Sequence, residues 1–147
     1  MYSFRNDYSE GAHPQVLQAL ADTNGVQTVG YGTDSYCATA ADTIRRLCAA
    51  PDAAVHFLVG GTQVNLVTID AFLQSYEAVI AAQTGHVSTH ETGAIEATGH
   101  KVCTVESPDG KLTPALVESV LAGHNGTEHM VLPRMVYISD TTAIGTV

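Results

Sequence analysis

The stretch Ala78-Val79-Ile80-Ala81-Ala82 is an unbroken apolar run near the middle of the 147-residue chain. Such a run is typical of a β-strand that is buried on both faces, as strands are in parallel sheets. A longer run of the same kind, Ala53–Val59, precedes it and stops at Gly60-Gly61. Between the two runs, apolar side chains crowd nearly all round a predicted helix, Thr62–Leu73. We therefore predict a strand, a helix and a second strand at the centre of the fold.

The alternation continues towards the C-terminus. A helix is predicted from about Val87 to Ala97, and the β-prone run Lys101–Val105 follows it. After the turn Ser107–Gly110 a helix is predicted from its cap Thr113 to Leu121, and Met135–Ser139 is predicted as the last strand. Because strands and helices alternate with short connections, the sequence predicts an α/β fold, a mostly parallel sheet flanked by helices.

Two further helices are predicted before the first strand. Gly11–Ala21 carries apolar residues at helical spacing, and Asp34–Ala49 repeats the pattern with Arg45 and Arg46 near its end, where they favour the helix dipole. The chain has the length of one ordinary domain and no linker divides it. The chain ends eight residues after Ser139 without a helix to follow the last strand, so we expect residues 1–147 to be part of a larger domain.

The composition argues against several classes of protein. With 15 acidic against 6 basic residues the formal net charge is -9, which disfavours binding to nucleic acid. The N-terminus lacks the pattern of a signal peptide, no apolar run is long enough for a bilayer, and three cysteines make an odd count, so we expect a cytoplasmic protein with free thiols. Charged residues are only 14% of the chain, which predicts that some of its surface is covered by missing segments or neighbouring subunits.

The junction Gly60-Gly61-Thr62-Gln63 has the chemistry of an anion site. Glycines allow a ligand to approach the backbone, the first N–H groups of a helix point outward, and Thr62 and Gln63 can add side-chain donors. A phosphate group would suit this arrangement. The alternative is that the two glycines only make a tight turn, since the junction is neither a Walker loop nor a dinucleotide fingerprint.

The stretch Gln83–Gly93 follows the Ala78–Ala82 strand and should lie at the same edge of the sheet as the glycine turn. Its two histidines, His86 and His90, are four residues apart, which raises the alternative of a zinc site with Glu91 and His100. The glutamate follows the second histidine rather than the first, and no third ligand has a diagnostic spacing. We therefore predict no metal site.

Short motifs recur in one order along the whole chain: Ser3-Phe4-Arg5-Asn6-Asp7, Gly30-Tyr31-Gly32-x-Asp34, Val59-Gly60-Gly61-Thr62-Gln63-x-Asn65, Gly85-His86, His90-Glu91-x-Gly93 and Tyr137-Ile138-Ser139. In these motifs the chain resembles the N-terminal portion of pyridoxal-phosphate-dependent threonine aldolases and related β-eliminating lyases. It resembles most the low-specificity L-threonine aldolase type. The resemblance implies an aspartate-aminotransferase-type fold (fold type I) and a homo-oligomer, a dimer or tetramer.

The resemblance also implies a set of cofactor contacts. Gly61, Thr62 and Gln63 would hold the phosphate of pyridoxal 5'-phosphate, and His86 would stack on its ring, near the substrate hydroxyl that loses its proton. The implied reaction cleaves the Cα–Cβ bond of threonine or allo-threonine to glycine and acetaldehyde, with the cofactor ring taking up the electron pair.

Other positions match the family less completely. Asn6 stands where relatives often have a serine that touches the substrate carboxylate, and Tyr31 matches a tyrosine close to the active site. Glu91 matches a recurrent glutamate that would orient groups around the ring. Thr142 stands where a second histidine often occurs, and because a threonine is no general base near neutral pH, proton transfer would fall to His86 or a water.

Two family elements have no counterpart in the chain, an Asp-Gly-Ala-Arg strand end and the lysine that binds the cofactor aldehyde. Neither Lys101 nor Lys111 lies in a matching motif. We therefore predict a lyase subunit whose first 147 residues alone are inactive. The alternative is a non-catalytic binding module that keeps the phosphate turn.

Overall fold

The computed structural model describes residue 6, residues 8–124 and residues 126–147. The chain divides into two units, Met1–Phe57 and Leu58–Val147. The first unit contains the two predicted helices, α1 (Pro14–Thr23) and α2 (Ser35–Leu47). Helix α1 begins at a proline, whose missing N–H has no partner to lose in a first turn. None of the helices in the described residues is long and apolar enough to span a lipid bilayer.

Asp34 caps helix α2 and makes its stability depend on pH. Its carboxylate accepts the N–H of Cys37 at 3.0 Å, and hydrogen bonds from the side chain and backbone of Cys37 hold the pKa of Asp34 below its ordinary value of 3.8. The cap therefore stabilises the folded chain above pH 3.8, and this contribution is lost as the pH falls through the lower pKa of the folded state.

We expect Asp34→Asn to reduce the acid sensitivity of the chain, because asparagine keeps a capping oxygen without a titrating charge. The measurement is the urea midpoint at about pH 6 and about pH 3, which should fall less for Asp34→Asn than for the wild-type chain. The exposed Asp52→Asn is the matched control and should behave as the wild type does. Equal falls for Asp34→Asn and the wild type would contradict the assignment.

The second unit is an α/β sheet structure. Its elements are α3 (Gly61–Phe72), β1 (Glu77–Ala82), α4 (His86–Thr89), α5 (Ala94–Ala97), β2 (Lys101–Val105), α6 (Pro114–Gly123) and β3 (Leu132–Val136). The three strands form a parallel sheet in the order β2-β1-β3. The predicted mostly parallel sheet with flanking helices is confirmed in these residues.

Strand β1 is the centre of this unit, and its alternating side chains face two separate cores. Val79 and Ala81 pack with Ile69 of α3, Val87 of α4 and Ile95 of α5. The other face of the strand, with Ala78 and Ile80, packs with β2 and α6 through the residues Cys103, Val117 and Val120. The apolar run predicted a strand that is buried on both faces, and both faces of β1 are buried in the structure.

The two crossover connections explain this layering. The chain leaves β1 on one side for β2 and returns past β1 to β3 on the other side. Right-handed crossovers that run in opposite directions must place their helices on opposite faces of the sheet. Accordingly α4 and α5 lie with α3 on one face, and α6 lies on the other.

The predicted strand Ala53–Val59 is wrong. No strand of the described residues pairs with it, and all its side chains except that of Val55 are exposed, with Val59 at 93% and Phe57 at 47%. A strand buried on both faces needs neighbours on two edges and two covered faces, and the described residues provide neither for this segment. An apolar run indicates that its side chains should be buried, but it does not specify which strand or helix packs against them.

Two predicted boundaries also differ. The predicted helix Val87–Ala97 is broken into α4 and α5, because Thr92 and Gly93 have φ values of 56° and 75° that a right-handed helix excludes. The last strand ends earlier than predicted, although the N–H of Tyr137 still donates to the carbonyl of Ile80 at 2.8 Å. Strand β3 also starts earlier than predicted, at Leu132. Its pairing with β1 has an irregular register opposite Ala78 and Val79, which accommodates Pro133, a residue without an N–H to donate.

Candidate active site

A tight turn at the carboxyl end of β1 positions His86. The N–H of Gly85 donates to the carbonyl of Ala82 at 2.8 Å, and α4 begins at the next residue. A Cβ at position 85 would lie 2.9 Å from that carbonyl oxygen, closer than real Cβ atoms come to other atoms. Only glycine therefore fits the turn without a shift, and the turn places His86 beyond the carboxyl end of a parallel strand, where ligands bind in such sheets.

His86 is held by a carboxylate that comes from the break between α4 and α5. Its Nδ1 lies 2.8 Å from Oε1 of Glu91, and the same oxygen accepts Nδ2 of Asn65 at 2.5 Å. The His86 side chain is 49% exposed, whereas that of Glu91 is 0% exposed. The site thus combines an accessible imidazole with a fully buried carboxylate behind it.

Glu91 keeps one unused acceptor. Its Oε2 is buried and has no hydrogen-bond partner among the described residues. A buried carboxylate is costly unless donors surround it, and here both donors meet at Oε1. The free oxygen therefore marks a place where a further donor would stabilise the site.

Helix α3 connects this histidine to the predicted phosphate turn. Asn65 lies one turn along α3 from Gly61, so the contact between Asn65 and Glu91 fixes the N-terminus of α3 relative to His86. At the N-cap, Gly60 has extended backbone, and a Cβ at Gly60 or Gly61 would meet no atom within 4 Å. The first turn of α3 is therefore open to a ligand.

Thr62 and Gln63 have different surroundings in that turn. Thr62 is exposed and is the second residue of the helix, so its backbone N–H is among the groups that lack an intrahelical acceptor. Gln63 is half-buried and uses Oε1 to accept the N–H of Val59 at 3.0 Å. Its side chain thus closes the turn, and its amide NH2 group is left to donate elsewhere.

The predicted substrate contacts Asn6 and Tyr31 lie in the first unit. Asn6 accepts the N–H of Tyr8 at 3.1 Å and the hydroxyl of Ser9 at 2.6 Å through Oδ1. Tyr31 is fully exposed and has a φ of 64°, in the left-handed region that residues with a Cβ seldom adopt. Both assignments stay predictions.

The residues of the zinc alternative are not gathered into one site. The rings of His86 and His90 stack with centroids 5.4 Å apart, and Nδ1 of His90 pairs with the hydroxyl of Thr89 at 2.6 Å. His100 is buried elsewhere, with Nδ1 at 3.2 Å from the carbonyl of Glu77. Among the described residues no group of three or more ligating side chains could hold a metal ion.

Asn65 is the site residue that sequence reasoning missed. It is the last residue of the motif Val59-Gly60-Gly61-Thr62-Gln63-x-Asn65, and nothing else in the sequence indicates that its amide has a partner. A cavity of about 300 Å³ beside Gly85 was not predicted either. It is lined by Lys111, Tyr137, Ser139 and Thr142 among others.

Comparison with known proteins agrees with these features. A family model described as beta-eliminating lyase matches residues 4–147. Two curated relatives, both named low specificity L-threonine aldolase, are similar over 146 residues; the one from Pseudomonas sp. strain NCIMB 10558 is 36% identical and the one from Pseudomonas aeruginosa is 35% identical. Each match covers 98% of this chain and 42% of the relative.

A solved structure of the threonine aldolase of Leishmania major is 58% identical to the chain, with a TM-score of 0.95. The match covers 99% of this chain and 42% of that one, so the chain spans about two-fifths of the length of the proteins it resembles. This likeness confirms the expected aspartate-aminotransferase-type fold. With the family model matching almost every residue, the chain belongs to the β-eliminating lyase family.

Proposed function

We propose that residues 1–147 are the N-terminal part of the large cofactor-binding domain of a threonine-aldolase-type lyase. The reaction would be the cleavage of L-threonine or allo-threonine to glycine and acetaldehyde. The observation that carries this proposal is the contact of Asn65, Glu91 and His86, because it joins an open helix N-terminus to an accessible imidazole. The names of the curated relatives and of the solved structure support the reaction class.

The described residues fit pyridoxal 5'-phosphate, a flat ring with a phosphate arm. The open first turn of α3 suits the phosphate, since Gly61, Thr62 and Gln63 would offer N–H groups and Thr62 a hydroxyl. The half-exposed ring of His86 suits the cofactor ring. When bound, the cofactor supplies an electron sink for the bond that breaks.

His86 would do two things in this site. The face of its imidazole would pack on the cofactor ring, and its Nε2 would receive the proton of the substrate hydroxyl. Asn6 and Tyr31 would contact the β-hydroxy amino acid, Asn6 at its carboxylate. Thr142 is not assigned a proton transfer, and its hydroxyl pairs with that of Thr146 at 2.7 Å.

The 147-residue chain is proposed to be inactive by itself. Lys101 is badly placed for covalent capture of a cofactor at His86, and Lys111, which lines the cavity beside Gly85, is engaged in a hydrogen bond. Lys101 opens β2, whereas His86 follows the carboxyl end of the parallel strand β1, so the two lie at opposite ends of the sheet. Lys111 lies after β2 and donates its Nζ to the carbonyl of Val147.

We further propose a homo-oligomer in the cytoplasm. Helix α1 has no buried residue, and Val16, Leu17 and Leu20 on it are each more than half exposed, which supports a surface that other protein covers. The three cysteines are unpaired in the described structure, as expected for a reducing compartment. Light scattering after gel filtration would measure the mass of the assembly.

The phosphate contact can be tested on the chain alone. We expect pyridoxal 5'-phosphate to bind at least about tenfold more tightly than pyridoxal, which lacks the phosphate. Thr62→Val removes the hydroxyl with little change of side-chain volume. It should weaken the binding of pyridoxal 5'-phosphate by about tenfold and leave the affinity for pyridoxal unchanged. Thr68→Val, at an exposed position of the same helix, is the matched control and should bind like the wild type. Equilibrium dialysis measures both ligands.

Two results would count against the proposal. One is equal affinity of the wild-type chain for pyridoxal and its phosphate. The other is an equal effect of Thr62→Val and Thr68→Val. A cofactor that borohydride fixes at one site of the chain would show that Lys101 or Lys111 reaches it, and would contradict the proposed inactivity of the chain.

A further inference from the structure

The contact of Asn65, Glu91 and His86 determines where the imidazole carries its proton. An ionised carboxylate only accepts hydrogen bonds, and an asparagine amide nitrogen only donates them. Oε1 of Glu91 already accepts from Nδ2 of Asn65, and it lies 2.8 Å from Nδ1 of His86. The Nδ1 of His86 is therefore the donor and carries a hydrogen. In the neutral ring, Nε2 is left without one.

We propose that Asn65 and Glu91 form a relay that holds the Nδ1 proton of His86 and so keeps Nε2 as the free ring nitrogen. Asn65 is a positioning residue in this relay: its amide fixes the carboxylate of Glu91, and the carboxylate fixes the imidazole. The role of Nε2 as a proton acceptor in the reaction rests on the proposed function. The protonation of Nδ1 rather than Nε2 does not depend on the proposed function.

The burial of Glu91 explains why the relay needs Asn65. The carboxylate has two donors in the described structure, Asn65 and His86, and its second oxygen has none. With Asn65 removed, the imidazole of His86 would be the one donor left to this fully buried carboxylate among the described residues, and no other contact of those residues would fix the orientation of the carboxylate. The fixed geometry at Nδ1 would then be lost.

Among the described residues, His90 is the other titratable group in contact with His86, and it does not compete for Nδ1 of His86. The ring of His90 stacks on that of His86, and Nδ1 of His90 is engaged with the hydroxyl of Thr89. A stacked neighbour contacts the face of the imidazole, whereas the proton lies at its edge. The relay and the stack are therefore separate influences, and His90→Asn should leave the ring nitrogens of His86 in the same protonation state.

The test is a proton–nitrogen correlation spectrum of histidine side chains in the 15N-labelled 147-residue chain, at a pH of about 9, well above the ordinary pKa of a free histidine, about 6.5. The signals of His86 are identified by their loss in His86→Gln. We expect protonated Nδ1 to exceed protonated Nε2 by about tenfold or more, as a hydrogen bond to a charged group implies. Because no cofactor is present, this result is independent of whether the chain binds pyridoxal 5'-phosphate.

Variants separate the two members of the relay. Glu91→Leu should remove the preference for protonated Nδ1, and Asn65→Leu should reduce it by severalfold to a mixture of the two forms. The matched controls Glu96→Leu and Asn24→Leu lie at exposed positions outside the relay and should keep the wild-type pattern. Circular dichroism identifies any variant that has not folded.

The wild-type spectrum alone can overturn the proposal, even where a variant fails to fold. A His86 with protonated Nε2 and bare Nδ1 would contradict the relay outright. Unchanged signals in a folded Glu91→Leu variant would do the same. Loss of the preference in Glu91→Leu with no change in a folded Asn65→Leu would remove Asn65 from the relay, and the proposal as stated would be wrong.

Discussion

Ile95→Ala is expected to destabilise the second unit by about 2–5 kcal/mol, the range for truncating a buried isoleucine where the cavity cannot close. Ile95 is 0% exposed and packs in one cluster with residues of α3, β1 and α4. It is the one buried residue of the four-residue helix α5. Since Glu91 directly precedes the turn into α5, the loss should also loosen the carboxylate that holds His86.

Urea unfolding with a fluorescence or circular dichroism signal measures this change as a shift of the midpoint at constant slope. Ile138→Ala is the matched control, because Ile138 is 71% exposed and its truncation leaves no cavity. That control is expected to change the free energy of unfolding by less than about 0.5 kcal/mol. A similar loss in both variants would contradict the packing described for α5.

Gly85→Ala is expected to cost about 1–3 kcal/mol, since the added methyl group would overpack a site with no space for it. The Cβ would lie 2.9 Å from the backbone oxygen of Ala82, and a backbone atom cannot move aside as the end of a side chain can. Either the turn opens or α4 shifts. We therefore expect this variant to displace His86 as well, and to weaken pyridoxal 5'-phosphate binding about tenfold.

The matched control is Gly123→Ala at the end of α6, where an added Cβ meets no atom within 4 Å. Alanine there should be neutral or stabilise by up to about 1 kcal/mol, because it restricts the unfolded chain. Urea midpoints and cofactor affinity of the two variants give the comparison. A Gly85→Ala chain as stable as Gly123→Ala would show that the turn at the end of β1 is not constrained.

The sequence predicted those elements whose partners lie nearby in the chain. Apolar patterns, together with turn and cap residues such as Pro114, predicted strands β1 and β2 and helix α6. These three elements bury their apolar side chains against one another. The segment Ala53–Val59 has the same apolar pattern, but a pattern does not contain the neighbouring strand that would pair with it. Its prediction as a strand was wrong for that reason.

The site was predicted in part. The glycine turn and His86 could be found because each follows an apolar run. The link between them could not, since Asn65 and Glu91 are 26 positions apart and meet only when α3 packs on the sheet. The break at Thr92 and Gly93 was also hidden, although it is this break that lets Glu91 turn inward to the imidazole.

The strand order affects when the contact between His86 and Glu91 forms during synthesis of the chain. Partners in the β1–β2 pairing are less than half as far apart along the chain as partners in the β1–β3 pairing. Each doubling of a loop adds about 0.6 kcal/mol to the entropic cost of closing it, so the first pairing is favoured during synthesis. His86 and Glu91 lie inside that shorter loop, and we expect their contact to form on the growing chain before β3 has left the ribosome.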